Sequence, residues 1–142
     1  MICMKVFQSM DVAGSALTAH RLWLDAISSN LANVNTTRTS DGGPYKRKVP
    51  IFAEMYDKAI GGYKDIGGVR VTEIATDNTA PRIVFQPDHP DANDAGYVAF
   101  PSVNVVREMT DMLVASRGYE ANLAVADTAK AMWNGALDIL RS

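Results

Sequence analysis

The stretch SALTAHRLWLDAISSNLANVN, residues 15–35, decides how this chain folds. Leu17, Leu24 and Leu31 recur every seven residues, and Met10 extends the series backwards. Ala13, His20, Ile27 and Val34 each stand three places after one of these. That is the a/d spacing of a helix whose narrow stripe must meet another helix. No proline intervenes before Pro44, so the spacing predicts a helix from Val6 to Asn35, with Ser9 or Asp11 as its cap or first turn. Such a rod is roughly 40 Å long. Asp11, Arg21 and Asp25 are its only charged residues, and most other positions are Ala, Ser, Asn, Thr or Gly. A helix with a solvated face normally carries more charge. Small uncharged residues all round predict neighbours on more than one side.

A second seam lies at the other end. Val105, Met112, Tyr119, Ala126, Trp133 and Leu140 repeat every seven, and Met109, Ser116, Leu123, Lys130 and Leu137 stand four places after the first five. This predicts a helix of roughly 55 Å that starts after Pro101, capped by Ser102 or Asn104, and runs to about Leu140. Glu108 near its start complements the helix dipole. Lys130 on the stripe reads as a buried cation that fixes register or pairs across an interface.

Between the helices lie most of the glycines and all six prolines. Asp41-Gly42-Gly43-Pro44, Gly61-Gly62 and Gly67-Gly68 punctuate turns, and the β-prone runs are 45–52, 69–75, 82–86 and 97–100. The expected fold is mainly α with a small β-rich insert, its long terminal helices forming a coiled-coil pair. Its segments are an N-terminal helix, 1–35, a Gly/Pro-rich insert, 36–102, and a C-terminal helix, 103–142.

Composition excludes several functions. A net charge of −2 gives no general attraction to nucleic acid or anionic lipid. The cluster Lys46-Arg47-Lys48 reads as a solvated strand end. A single cysteine, Cys3, excludes an internal disulfide, and no run of eighteen apolar residues spans a bilayer. The N-terminus does not read as a secretory signal, so composition alone points to the cytoplasm. Candidate enzymatic sites dissolve. His20 and His89 lie far apart without zinc-ligand spacing. The loop from Asp91 lacks the carboxylates a calcium loop needs at positions five and twelve. No phosphate-binding loop follows the Gly pairs. The expectation is no enzyme, no catalytic residue, no metal and no cofactor. At this level a structural assembly subunit and a cytosolic coiled-coil adaptor both remain open.

Several motifs together resemble the flagellar rod and hook axial proteins. Ser15–Ala19, Arg21-Leu22 and Asp25–Thr37 are similar to their N-terminal signature, which includes Asn30, Ala32, Asn33, Asn35 and Thr36. The continuation through Pro44 and Tyr45, then Pro87-Asp88-His89-Pro90 and Gly96-Tyr97-Val98, resembles the short proximal-rod branch. Ala115–Asn122, with Arg117, Tyr119 and Asn122, resembles the C-terminal motif. Ser29, Ser102 and Gly118 depart from the family's commoner Asn, Asn and Ala. The resemblance implies a subunit of the basal-body rod, the torque-transmitting drive shaft. It implies export without a cleaved signal, through the flagellum's own type III apparatus, to the periplasmic rod. Implied partners are copies of itself, other rod proteins and the base of the export apparatus, with no nucleic acid and no membrane insertion. It also implies terminal helices packed in an inner tube, with ends that order on assembly. The assembly seams would be Met10, Leu17, Leu24, Ile27, Leu31 and Val34 on the first helix. On the second they would be Val105, Met109, Met112, Tyr119, Leu123, Trp133 and Leu137.

Overall fold

The computed structural model describes the backbone of residues 2–55, 57–59, 62–64 and 67–141, and the side chains of 8–55 and 67–139. The element order is α1 (Ile2–Ala32), β1 (Lys48–Glu54), β2 (Asp57–Ala59), β3 (Gly62–Lys64), β4 (Val69–Thr76), β5 (Arg82–Phe85), β6 (Tyr97–Phe100) and α2 (Val105–Arg141). Two terminal helices thus bracket a small antiparallel insert. Helix α1 starts well before the expected cap, so Ser9 and Asp11 lie inside it. Nothing in Ile2–Gln8 breaks a helix. The end of α1 is closed by Asn33, whose Nδ2 donates to the Ser29 carbonyl at 2.9 Å. Helix α2 is capped by Asn104, whose Oδ1 accepts the Arg107 backbone N–H at 3.2 Å.

The strands form three two-stranded antiparallel ribbons, β1–β4, β2–β3 and β5–β6. In the first, Lys48 pairs with Thr76 and Glu54 with Val69, with an irregularity between Ile51 and Phe52. Pro50 is tolerated in β1 because a strand of a two-stranded ribbon always has one free edge. Each β-prone run overlaps a strand, with β1 and β4 reaching beyond the expected ends. The two extra strands, β2 and β3, have three residues each, too short for alternation to show. Gly61, expected in a turn there, lies outside the described residues.

Helix α1 packs against α2 and also against β1 and β4. This double cover explains its scarcity of charge from within the chain. Trp23 meets Phe52 of β1 edge-to-face at 5.8 Å. The Val69 backbone N–H of β4 donates to Ser15 Oγ at 3.2 Å. Gly68, at φ +134°, makes that approach possible, because a Cβ there would lie 2.9 Å from Ser15 Oγ. The exposed line of α1 is Asp11, Gly14, Thr18, Arg21, Asp25, Ser28 and Ala32, which gathers all three of its expected charges.

The buried positions only partly follow the expected stripes, which included Ala13 and Ile27. On α1 they are Ala13, Ala19, Ala26, Ile27 and Asn30. Met10, Leu17, Leu24, Leu31 and Val34 are half-buried, so the most buried line lies about a quarter-turn round from the leucines. Alanines let the neighbouring backbone come close, and the leucines flank that contact. On α2 the buried residues are Glu108, Ala115 and Ala129, with Asn122 half-buried between them. This track follows Val105, Met112, Tyr119 and Ala126 by three places, whereas the sequence reading chose the track four places on. Met112, Tyr119 and Trp133 are half-buried, but Val105, Met109, Leu123 and Leu137 are exposed within the chain. Lys130 is exposed beside buried Ala129, so it is not a buried cation. The Leu140 side chain lies outside the described residues.

The chain exposes 10107 Å². A compact monomer of 15.4 kDa would expose about 7200 Å². The difference reflects two long helices and three two-stranded ribbons that share only a small core. Among the described residues, no helix is long and apolar enough to cross a membrane.

Candidate functional site

The largest buried polar feature joins three segments that are distant in sequence. Asn30, 1% exposed, and Glu108, 0% exposed, meet between the helices. Asn30 Nδ2 donates to Glu108 Oε2 at 3.0 Å and to the Lys48 carbonyl at 2.9 Å. Its Oδ1 accepts from the Lys48 N–H at 2.8 Å and from Tyr45 Oη at 3.0 Å. The amide thereby uses all its donor and acceptor capacity. It pairs with Lys48 as a neighbouring strand would, tying the start of β1 to α1.

Glu108 is completed by Arg47, whose Nε donates to Oε1 at 2.6 Å. Arg47 also lies 3.6 Å from Asp111. The expected solvated strand end is therefore wrong at its centre. Lys46 and Lys48 are exposed, but Arg47 turns inward and is only 16% exposed at its side chain. A buried carboxylate needs such a partner, because an uncompensated one costs several kcal/mol, roughly 3–5 on loss of a partner. Ser29 Oγ hydrogen-bonds Tyr45 Oη at 3.1 Å and closes the cluster. We call it the clasp.

A second contact lies further along the helices. The His20 ring stacks on Trp23 at 6.1 Å and sits against Gly118 of α2, where a Cβ would come within 2.5 Å of His20 Cε1. His20 Nδ1 is buried and, among the described residues, has no hydrogen-bond partner. The ring is held by shape, as a packed residue rather than a catalyst.

Other motif residues fasten loops. Thr36 Oγ1 donates to Asn33 Oδ1 at 3.1 Å, while Ala32 and Asn35 are exposed. Asp91 accepts from Thr37 at 2.8 Å and pairs with Arg38 at 3.1 Å, anchoring the β5–β6 connection to the segment after α1. His89 Nδ1 accepts the Asp91 backbone N–H at 3.1 Å, and its ring meets Phe100. Pro44 is half-buried, while Pro87 and Pro90 are exposed. Tyr97 meets Phe85 edge-to-face at 5.2 Å. Arg117 pairs with Glu120 on the surface at 2.9 Å, and Asn122 Nδ2 donates to the Gly118 carbonyl at 2.7 Å. In the insert, Thr79 donates to Asp77 by hydroxyl and backbone N–H, which lowers that carboxyl's pKa below its ordinary value. Among the described residues no three His, Cys, Asp or Glu side chains come together to hold a metal ion. The motif residues mostly hold segments together.

The sequence reading named Asn30 and Tyr45 but gave no role to Arg47 or Asp111 in this cluster. The missed signal was Glu108 itself, which heads the heptad series continued by Ala115, Asn122 and Ala129. A charged residue on a buried track calls for a partner.

Comparison with known proteins agrees with this picture. Residues 10–38 match the family described as "Flagella basal body rod protein", and residues 94–139 match "Flagellar basal body rod FlgEFG protein C-terminal". The chain is 45% identical to the flagellar basal-body rod protein FlgC of Borreliella burgdorferi, over 97% of this chain and 99% of that one. The chain belongs to the FlgC family of flagellar basal-body rod proteins. It is 38% identical to the FlgC protein of Bacillus subtilis, over 96% of this chain and 99% of that one. Against the FlgC protein of Aquifex aeolicus the identity is 34%, over 89% and 91%. The FlgC-family chain is a structural rod subunit of the flagellar basal body, not an enzyme. The two matched regions hold the two halves of the clasp: Asn30 lies in the first and Glu108 in the second.

Proposed function

We propose that this rod subunit assembles through its terminal helices, with the outer face of α2 as the main surface left for neighbours. The supporting observation is the exposure of Val106 (73%), Met109 (61%), Leu113 (60%), Leu123 (45%) and Leu137 (40%) along a helix whose other face closes on α1. A soluble monomer rarely leaves so long an apolar face bare. Covering it on assembly contributes about 1.5–3 kcal/mol per large side chain before ordering costs. Helix α1 is already covered on two sides and offers a single polar line.

The terminal helices of neighbouring copies and of other rod proteins would pack as coiled coils, using the seams from Met10 to Val34 and from Val105 to Leu137. The heptad spacing of Glu108, Ala115, Asn122 and Ala129 supports such packing within the chain. Segments 1–35 and 103–142 then form the axial layer, and 36–102 the outward module. Torque passes through these lateral contacts across the periplasmic rod. The subunit reaches it through the flagellum's own export apparatus without a cleaved signal, and the rod's base adjoins that apparatus. Complementation tests this. In a flagellated host lacking its own copy, the full chain should be exported intact, enter basal bodies and restore swimming. Retention in the cytoplasm without rods would refute it.

A further inference from the structure

The contact between Asn30 and Glu108 has a counterpart. Ten residues back along α1 stands His20, ten residues on along α2 stands Gly118, and these two also meet. Two contacts about 15 Å apart therefore agree on one antiparallel alignment. Among the described residues, the other buried positions of the helices are alanines and a single isoleucine: Ala13, Ala19, Ala26 and Ile27 on α1, Ala115 and Ala129 on α2. Alanine surfaces are shallow, so their packing discriminates weakly between alignments one heptad apart. We propose that Asn30–Glu108 and His20–Gly118 are paired register pins, which select one alignment of the helical hairpin from several that the alanine interface tolerates.

Slipping by one heptad would bring Asn30 opposite Ala115 or Pro101 and leave Glu108 without its amide partner. The same slip would bring the His20 ring opposite Asp111 or Val125, where no missing side chain makes room. The clasp penalises slip by leaving buried polar groups unpaired. The notch penalises it sterically. His20 Nδ1 gains no hydrogen bond from its position among the described residues, which fits a ring retained for its shape. The rod reading supplies the purpose: a slip of about 10 Å would carry the outer face of α2 out of step with the exposed line of α1. The alignment itself is a property of the single chain and is measured without any rod.

The notch is tested by a sign reversal. Gly118→Ala raises intrinsic helix propensity, so in a His20→Ala background it should raise the denaturation midpoint. In the native background it should lower it, because the methyl displaces the ring. The same sign in both backgrounds would overturn the notch. The clasp is tested in the full chain with Cys3→Ser and nitroxide labels at Asp11→Cys and Thr110→Cys, exposed positions set about 25 Å apart along the helix axes. The otherwise unchanged protein should give one interspin distance. Asn30→Leu with Arg47→Met and Glu108→Met should stay helical but add a second distance shifted by several ångströms, at most about 10 Å. A single unchanged distance in that variant would overturn the proposal, and so would loss of its helix, since the cluster would then only stabilise. A correct alignment in a chain that fails to build rods would instead count against the proposed function.

Discussion

Asn30 and Glu108 stand 78 positions apart in the chain and share a 3.0 Å hydrogen bond in its interior. One lies near the end of the first helix, the other in the first turn of the last. The contact closes the insert into a loop whose two ends are fixed, and Arg47 and Tyr45 lock it from the insert side. The clasp therefore sets where both helices point as they leave the insert.

Removing the amide should be costly. Asn30→Ala leaves the Lys48 N–H and carbonyl, the Tyr45 hydroxyl and one oxygen of the buried Glu108 without their partner. A destabilisation of about 2–4 kcal/mol is expected, measured by urea denaturation. Asn30→Asp should cost more, since it sets a second carboxylate against Glu108. A loss below about 0.5 kcal/mol for Asn30→Ala would show that water satisfies these groups.

Gly68→Ala should weaken the seating of the β1–β4 ribbon on α1. A non-glycine residue at φ +134° is strained, and its Cβ would press on Ser15 Oγ. Together these should cost about 1–3 kcal/mol. Ser15→Gly in the same chain should recover only the steric part, because the backbone strain stays. Full recovery, read by thermal melting, would place the whole cost in the contact.

The architecture was legible in the sequence because its signals are long. The seven-residue repeat of Met10, Leu17, Leu24 and Leu31, with its counterpart from Val105 to Leu140, leaves little alternative to helix, and Gly and Pro clustering marked the insert. The buried faces were less legible. Large apolar residues draw the eye to Leu17 and Leu24, yet Ala19 and Ala26 are more enclosed than either, since close backbone approach favours small side chains. On α2 the apolar Met109 and Leu123 outweighed Glu108 as seam candidates, although the polar residue is the buried one. The clasp depends on Arg47, and nothing in a Lys-Arg-Lys run tells which cation turns inward. That choice is tertiary: Arg47 stands just before β1, where Glu108 and Asp111 of α2 hold it inward.

The Thr79 hydrogen bonds give Asp77 a testable titration. Its folded pKa is lowered by the Thr79 hydroxyl, then by the Thr79 backbone N–H. The associated stability is therefore complete above the ordinary carboxylate pKa and fades as pH falls through the lowered value. Thr79→Val should move the Asp77 carboxyl back towards the ordinary range in an NMR titration. An unchanged titration would assign the shift to the backbone N–H alone.

Helix content should rise on assembly. The far half of α2, from Leu123 onward, has Ala129 as its only buried residue among the described side chains, and its end is expected to fray in dilute protein. Far-UV circular dichroism of the purified chain should report less helix than the 31 and 37 residues of α1 and α2. Full helicity in dilute monomer would remove ordering from the assembly step.

The most direct measurement is electron microscopy of basal bodies from cells whose only copy carries Leu123→Asp. Leu123 is 45% exposed, so the charge should leave the single chain folded while spoiling the outer face of α2. Protein exported at normal levels, with basal bodies whose rods are absent or truncated, is the expected result. Normal rods and normal swimming would contradict assembly through this face.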